Sequence, residues 1–326
     1  MNRNFALGTL ALASTLTLAA SGRRINLIPR YVPGATLRYR IESTTTTTGK
    51  TTTPIVNPEG GTHSTLTIHL VVRLDVLGAP SSGGSSAVRL RATYEKSSAE
   101  SQSDALDLAQ PSVSDQYARL KGESVEFTIA PNGQLVDIKG LEETPADRSL
   151  GQSALSWLGA LSTAGGFPAD GVEIGQKWKS ERPVEGAPLA GLAWRVESAY
   201  LRDEPCDSSP AGDRSPPASK AALDSCAVIL SRFAISRPGS AHGDATPEDY
   251  LRNGLRVSGS WTGTGESLNY VSLASGLLVR STETSDQQMD YKITSATTGS
   301  SIVRNAQVHS QSEISLDSTP AVSATK

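Results

Sequence analysis

The chain is short of nearly every residue type that usually marks a catalytic, metal-binding or nucleic-acid-binding protein. Its 326 residues include two cysteines, four histidines and two methionines, and Phe, Trp and Tyr together make up 5%. Cys206, Cys226 and His242 are too few to complete a four-ligand zinc site, and no Cys-x-x-Cys pair is present. No metal or cofactor is therefore indicated. A net charge of −3 and a pI near 5.9 leave no basic field for nucleic acid or an anionic membrane. The chain has no Gly-x-Ser-x-Gly elbow, Walker motif, His-Glu-x-x-His or EF-hand loop. Gly263-Thr264-Gly265-Glu266 lacks the third glycine and the following helix of a dinucleotide fingerprint, and reads instead as a strand bend or bulge.

What the chain does have begins at its N-terminus. Arg3 precedes an uncharged run from Phe5 to Ala20 that ends in the small residues Ala19-Ala20-Ser21-Gly22, the pattern of an export signal over 1–22. Sixteen helical residues would span roughly 24 Å, short of the roughly 30 Å hydrocarbon core, so a retained anchor is disfavoured. No cysteine follows the run to take a lipid, so no stable membrane span or anchor is expected after cleavage. The expected location is periplasmic or secreted. In that compartment Cys206 and Cys226, which flank a stretch rich in Pro, Ser, Ala and Gly, read as one disulfide closing the loop 206–226. The alternative is two free thiols.

Period-two alternation dominates the first hundred residues. Leu37, Tyr39 and Ile41 alternate with Arg38, Arg40 and Glu42; Leu66, Ile68, Leu70, Val72 and Leu74 share a face; Val88, Leu90, Ala92 and Tyr94 oppose Arg89, Arg91, Thr93 and Glu95. Ser and Thr make up about a fifth of the chain, which suits strands with hydroxyl-bearing solvent faces. Phe127 and Ile129 before Pro131-Asn132-Gly133, with Val136 and Ile138 after, predict a hairpin on a type I′ turn. Ser275-Gly276 predicts another. Further strands are expected over Gln176–Lys179, Leu192–Leu201, Ala227–Ile235, Leu255–Trp261, Ser267–Leu273, Leu277–Thr284, Gln288–Ile293 and Ser301–Leu316.

One segment departs from this pattern. Thr144-Pro145-Ala146-Asp147 supplies an N-cap, a proline at the first helical position and an early acid, after which Leu150, Ala154, Trp157, Leu158 and Leu161 recur at helical spacing. A helix is predicted over about 145–163, with a shorter one around Asp115 to Leu120. The fold class expected is mainly β: long antiparallel strands in a curved sheet, half-barrel or barrel, with one inserted covering helix. The expected organisation is a single β-rich domain over 23–316 and a disordered tail over 317–326.

The stretch Val172-x-Ile174-Gly175-x-Lys177-Trp178 resembles a segment of uncharacterised exported β-rich bacterial proteins. The layout of a signal, long antiparallel strands and a helix inserted midway is similar to the half-barrels of periplasmic lipoprotein-carrier-like proteins. That likeness implies a concave apolar face able to hold an acyl chain, with no binding residue carried over.

Candidate catalytic groups are sparse. His63 and His69 lie roughly 20 Å apart on one strand and cannot share a metal. His242 sits in a polar loop with Ser240 and Asp244, and the carboxylate pairs Glu142-Glu143 and Asp203-Glu204 fall at element ends. The residues suited to line a cavity are aromatic: Trp157, Trp178, Trp194 and Trp261, with Tyr39, Tyr94, Phe127 and Phe233 on inward faces. The expected function is non-catalytic binding or carriage of a lipid or other apolar molecule. An envelope or surface interaction protein is the second reading, and a hydrolase the third.

Overall fold

The computed structural model describes residues 24–52, 61–78, 87–104, 113–131, 133–140, 157–159, 161, 167–184, 187–206, 224–237 and 246–317. The expected signal, the expected tail beyond Asp317, His242 and Glu142-Glu143 lie outside them. Eleven strands are described: β1 (Thr36–Thr52), β2 (Thr62–Gly78), β3 (Val88–Ser103), β4 (Ser124–Ile129), β5 (Leu135–Lys139), β6 (Lys177–Pro183), β7 (Ala193–Pro205), β8 (Ser225–Ser236), β9 (Leu255–Ser272), β10 (Leu278–Ser295) and β11 (Ser301–Asp317). Short helices α1 (Val113–Arg119) and α2 (Glu248–Arg252) accompany them, with a further helical piece at 157–159 and 161.

All eleven strands form one antiparallel sheet in the order β5-β4-β3-β2-β1-β11-β10-β9-β8-β7-β6. The sheet is open and curved, with β5 and β6 at its edges, so of the expected forms the closed barrel does not occur. Each strand pairs with its sequence neighbour except at the centre, where β1 meets β11 from Arg38↔Asp317 to Thr52↔Val303. Several strands run 17 or 18 residues, roughly 55 Å at about 3.3 Å per residue.

Two segments expected as pairs of shorter strands are continuous. β9 runs unbroken through Gly263 and Gly265, and its pairing with β8 and β10 shows no shift there, so the expected bend is absent. The glycines serve packing. A Cβ at Gly265 would stand 2.4 Å from the Phe233 ring on the neighbouring strand, so the missing side chain is the space that the ring occupies. β10 likewise passes straight through Ser285 to Gln287.

β3 also extends beyond its expected end. Val71 pairs with Lys96 and Val72 with Tyr94, so Glu95 is an extra residue in the ladder. The bulge keeps Tyr94 on the apolar face and resets the alternation to Ser97 and Ala99. It also aims Glu95 at Arg38, whose Nε and Nη2 donate to its two carboxylate oxygens at 2.8 and 3.2 Å. That pairing draws the Glu95 pKa below the ordinary carboxylate value.

The β4–β5 hairpin differs from the expected type I′ turn. The Gly133 N–H donates to the Ala130 carbonyl and the Ala130 N–H to the Gln134 carbonyl, which makes a three-residue loop with Gly133 at φ 79°. Pro131 favours this, since its fixed negative φ turns the chain straight after Ala130 and Gly133 supplies the left-handed residue that leads into β5. Val136 and Ile138 lie on the edge strand and stay exposed.

The apolar face is covered at one end. Leu27 and Tyr31 from the N-terminal segment, Tyr117 of α1, and Trp157, Leu158 and Leu161 pack on Tyr39, Val72, Leu74, Leu90, Tyr94 and Phe127. Of the helix expected over about 145–163, residues 157–159 and 161 are described, and they are helical. A second, smaller cluster of Leu189, Leu192, Ile235 and Val257 sits towards the other end, joined by Trp194, Tyr250, Trp261 and Tyr291. The Cys206–Cys226 disulfide is formed and ties the end of β7 to the start of β8.

Three outcomes follow. Gly265→Ala should cost about 1–3 kcal/mol in urea unfolding, because Phe233 must be displaced, and Phe233→Leu in the same chain should recover part of it. Cys206→Ser with Cys226→Ser should lower stability by about 3 kcal/mol, the unfolded-chain entropy of a closed loop with its ends 20 residues apart. Burial raises the pKa of Tyr39, and pushes that of Tyr94 from 10.0 up to about 12. The folded state thus holds the neutral phenol longer than the unfolded chain does. Their contribution is complete below pH 10 and is lost as pH rises towards 12, so urea midpoints should fall across that window. Substituting Tyr94→Phe should flatten the fall.

Candidate functional site

The register sorts the apolar face into three bands. Near the covered end it is apolar and closely packed. A band of small polar residues follows: Ser198, Ser231, Ser267, Asn269, Ser281 and Ser285 are all buried. Five of the six are linked by hydrogen bonds across four strands. Ser198 and Ser231 share a hydrogen bond at 2.8 Å, Asn269 Nδ2 donates to Ser267 Oγ at 3.1 Å, and Ser281 Oγ donates to Asn269 Oδ1 at 2.7 Å. On β1 and β11 the band continues as Thr45 and Ser310, 3.1 Å apart. Beyond it lies the second apolar cluster.

The band divides the residues expected to line one cavity. Tyr39, Tyr94, Phe127, Trp157 and Trp178 belong to the covered cluster, where the Trp157 indole N–H donates to the Tyr94 hydroxyl at 3.4 Å and the Tyr39 hydroxyl donates to the Leu278 carbonyl at 3.0 Å. Trp194 and Phe233 meet edge to face at 5.2 Å, and the Trp261 indole N–H donates to Gln287 Oε1 at 3.1 Å. Trp194 and Trp261 lie beyond the polar band, and Phe233 stands level with its last row, Gly265, Ser285 and Ser310. A ligand touching both groups would have to cross buried hydroxyls that already have partners.

Two concavities are of interest. The larger, about 590 Å³, is a groove on the polar face. Thr46, His309, Asp286 and Thr264 line it as one row across the strands, and Thr48, Gln307, Gln288 and Thr262 as the next. His309 Nδ1 lies 2.8 Å from Asp286 Oδ1, and Gln311 holds the other ring nitrogen at 3.2 Å. The groove is hydroxyl- and amide-lined and open to solvent. Ala234, Ile235 and Val308 complete the lining, and the hydroxyl and amide rows suit a polar partner.

The smaller concavity, about 350 Å³, is apolar. Ile28, Pro29 and Tyr31 form one wall, and Val88 with Ile129, Ala130 and Pro131 the other, with Arg30 at the rim. The N-terminal segment that makes the first wall is strapped across the end of the sheet. Ile25 bridges Val172, the Arg30 N–H donates to the Ser275 carbonyl at 2.7 Å, and the Gly34 N–H to the Val76 carbonyl at 2.9 Å. Gly276 makes this seat possible. Its φ is +71°, and a Cβ there would stand 2.4 Å from the Ile28 carbonyl oxygen. Tyr31 is buried, and burial raises its pKa well above the ordinary phenol value, keeping it neutral.

Sequence reasoning passed over residues 28–31 because they carry no periodicity and precede the first strand. The one local signal was the pair Pro29 and Pro33 bracketing Tyr31. Other candidate groups are dispersed. His63 and His69 are exposed on the polar face, opposite Thr48 and Glu42. Asp203 accepts from the Tyr200 hydroxyl and Glu204 from Arg202, so that carboxylate pair is engaged locally. Among the described residues no three His, Cys, Asp or Glu side chains gather as metal ligands, and no helix is long and apolar enough to cross a membrane.

No family model matches the chain, and no curated protein matches it. Among solved structures it is similar to lipovitellin, described for its lipid–protein interactions, at 12% identity and a TM-score of 0.42. That match covers 90% of this chain and 26% of the lipovitellin chain, so the chain spans about a quarter of that protein's length. A second likeness, to an outer membrane channel from Pseudomonas putida F1, has 8% identity and a TM-score of 0.20, covering 89% of this chain and 98% of that one.

Proposed function

We propose that the chain is an exported, non-catalytic binding protein that holds an apolar ligand in the crevice between residues 28–31 and the β3–β4 corner. The observation that carries the reading is the crevice itself: about 350 Å³ walled by Ile28, Pro29, Tyr31, Val88, Ile129, Ala130 and Pro131. Its size falls at the lower end of the range for small-molecule sites, which are mostly apolar with a few placed polar groups. The disulfide supports an oxidising compartment. Each methylene transferred from water into such a site contributes about 0.8 kcal/mol, enough for a medium-length chain to bind at micromolar concentration.

A second reading, an envelope interaction protein, draws on the polar groove. Its rows of Thr, Gln, Asp and His side chains offer hydrogen bonds to a partner laid across the strands.

Titrating the purified chain with an uncharged probe, 1-dodecanol, in a calorimeter should give saturable binding in the micromolar range. Ala130→Trp fills the crevice and should weaken binding at least about tenfold, whereas Asp286→Ala in the polar groove should leave it unchanged. Absence of saturable binding, or equal binding by Ala130→Trp, would exclude the crevice as the site.

A further inference from the structure

We infer that the crevice selects an anionic single-chain amphiphile of about twelve carbons, whose head group is met by the Arg30 guanidinium. The inference rests on the reading of the crevice as an apolar site and adds the ligand's charge and length.

Length comes from volume. At roughly 30 Å³ for each methylene-sized unit, the share of one water molecule in the liquid, 350 Å³ has room for about a dozen. Charge comes from the lining. Ile28, Val88, Ile129, Ala130 and Pro131 carry none, and Arg30 is the only ionised side chain there. The one phenol in the lining, Tyr31, is neutral, so no negative charge inside competes for the arginine.

Arg30 is also placed differently from its neighbours. Arg24 pairs with Asp170, Arg38 with Glu95 and Arg91 with Glu126. Arg30 enters no ion pair among the described residues and is exposed. Its backbone is fixed by the hydrogen bond to Ser275, and Pro29 restricts the residue before it. A guanidinium on an anchored backbone at the rim of an apolar slot meets a carboxylate or phosphate with two parallel N–H donors while the chain lies inward. A cationic head at that place is repelled. A neutral head gains only a hydrogen bond.

The test titrates the chain calorimetrically with dodecanoate, 1-dodecanol or dodecyltrimethylammonium. Dodecanoate should bind about fivefold tighter than dodecanol, the range of a well-placed exposed ion pair, and the ammonium weakest. Arg30→Gln should bring the three within about twofold of one another, and Arg30→Lys should keep their order with a smaller spread. High salt should narrow the spread in the unmodified chain. Dodecanol binding as tightly as dodecanoate, or a preference that survives Arg30→Gln, overturns the inference while the apolar site stands. Failure of the neutral probe to bind at all overturns the apolar site and the inference with it. Dodecyl phosphate separates the two head groups: tighter binding than dodecanoate assigns a phosphate, weaker binding a carboxylate, and neither tighter binding than dodecanol rejects an anion.

Discussion

The pairing of β1 with β11 is the contact on which the molecule depends. Each other strand pair in the sheet is a sequential neighbour: β1 to β5 run outward on one side, and β10 back to β6 on the other. Either meander could form from its own hairpins. Only the register from Arg38↔Asp317 to Thr52↔Val303 makes one sheet of them, and it joins residues separated by most of the chain. Such a contact is slow to find because a very long loop must close before any ladder bond compensates. Its faces then match along the whole seam: Tyr39 and Ile41 meet Leu316 and Ile314, and further along Thr45 meets Ser310.

That seam also explains where sequence reading succeeds and where it stops. Alternation is a property of one strand, so Leu37-Tyr39-Ile41 and Leu66 to Leu74 are legible without a partner. The partner is not. The Thr44–Thr48 run has hydroxyls on both faces, and nothing in it separates pairing with β11 from pairing with any other Ser- and Thr-rich strand. Gly263 and Gly265 were misleading for a related reason. Glycine in a strand signals either a bend or a close approach, and the choice is made by the neighbouring strands: by Phe233 for Gly265, and by Gln287 and Ile235 for Gly263. Glu95 shows the same limit in miniature, since its bulge is fixed by Arg38 across an intervening strand. For the candidate site, the aromatic side chains were legible as apolar and inward. Their separation into two clusters was not, because the serines that divide them come from five different strands.

The polar band has an energetic consequence for the face as a whole. A buried hydroxyl or amide without a partner costs about 1–3 kcal/mol, so such a band persists only if its members satisfy each other. Ser198 with Ser231, and Ser281 with Asn269 and Ser267, do so. An acyl chain lying over these groups would gain little and would separate them from any water that serves them. The long apolar face therefore behaves as two short ones.

The end that carries the crevice is also where the two meanders are tied together. Its far wall, Val88 and Ile129 to Pro131, belongs to the first meander, whereas residues 28–31 are seated on the Ser275–Gly276 turn of the second. The strap then returns to the first meander through Gly34 and Val76. Neither half alone can build both walls. The crevice exists only when β1 and β11 have closed the sheet, so a ligand held there would stabilise the closed state over either separated meander by RT ln(1 + [L]/Kd). Whatever occupies the crevice is thus linked thermodynamically to the seam on which the rest of the fold depends.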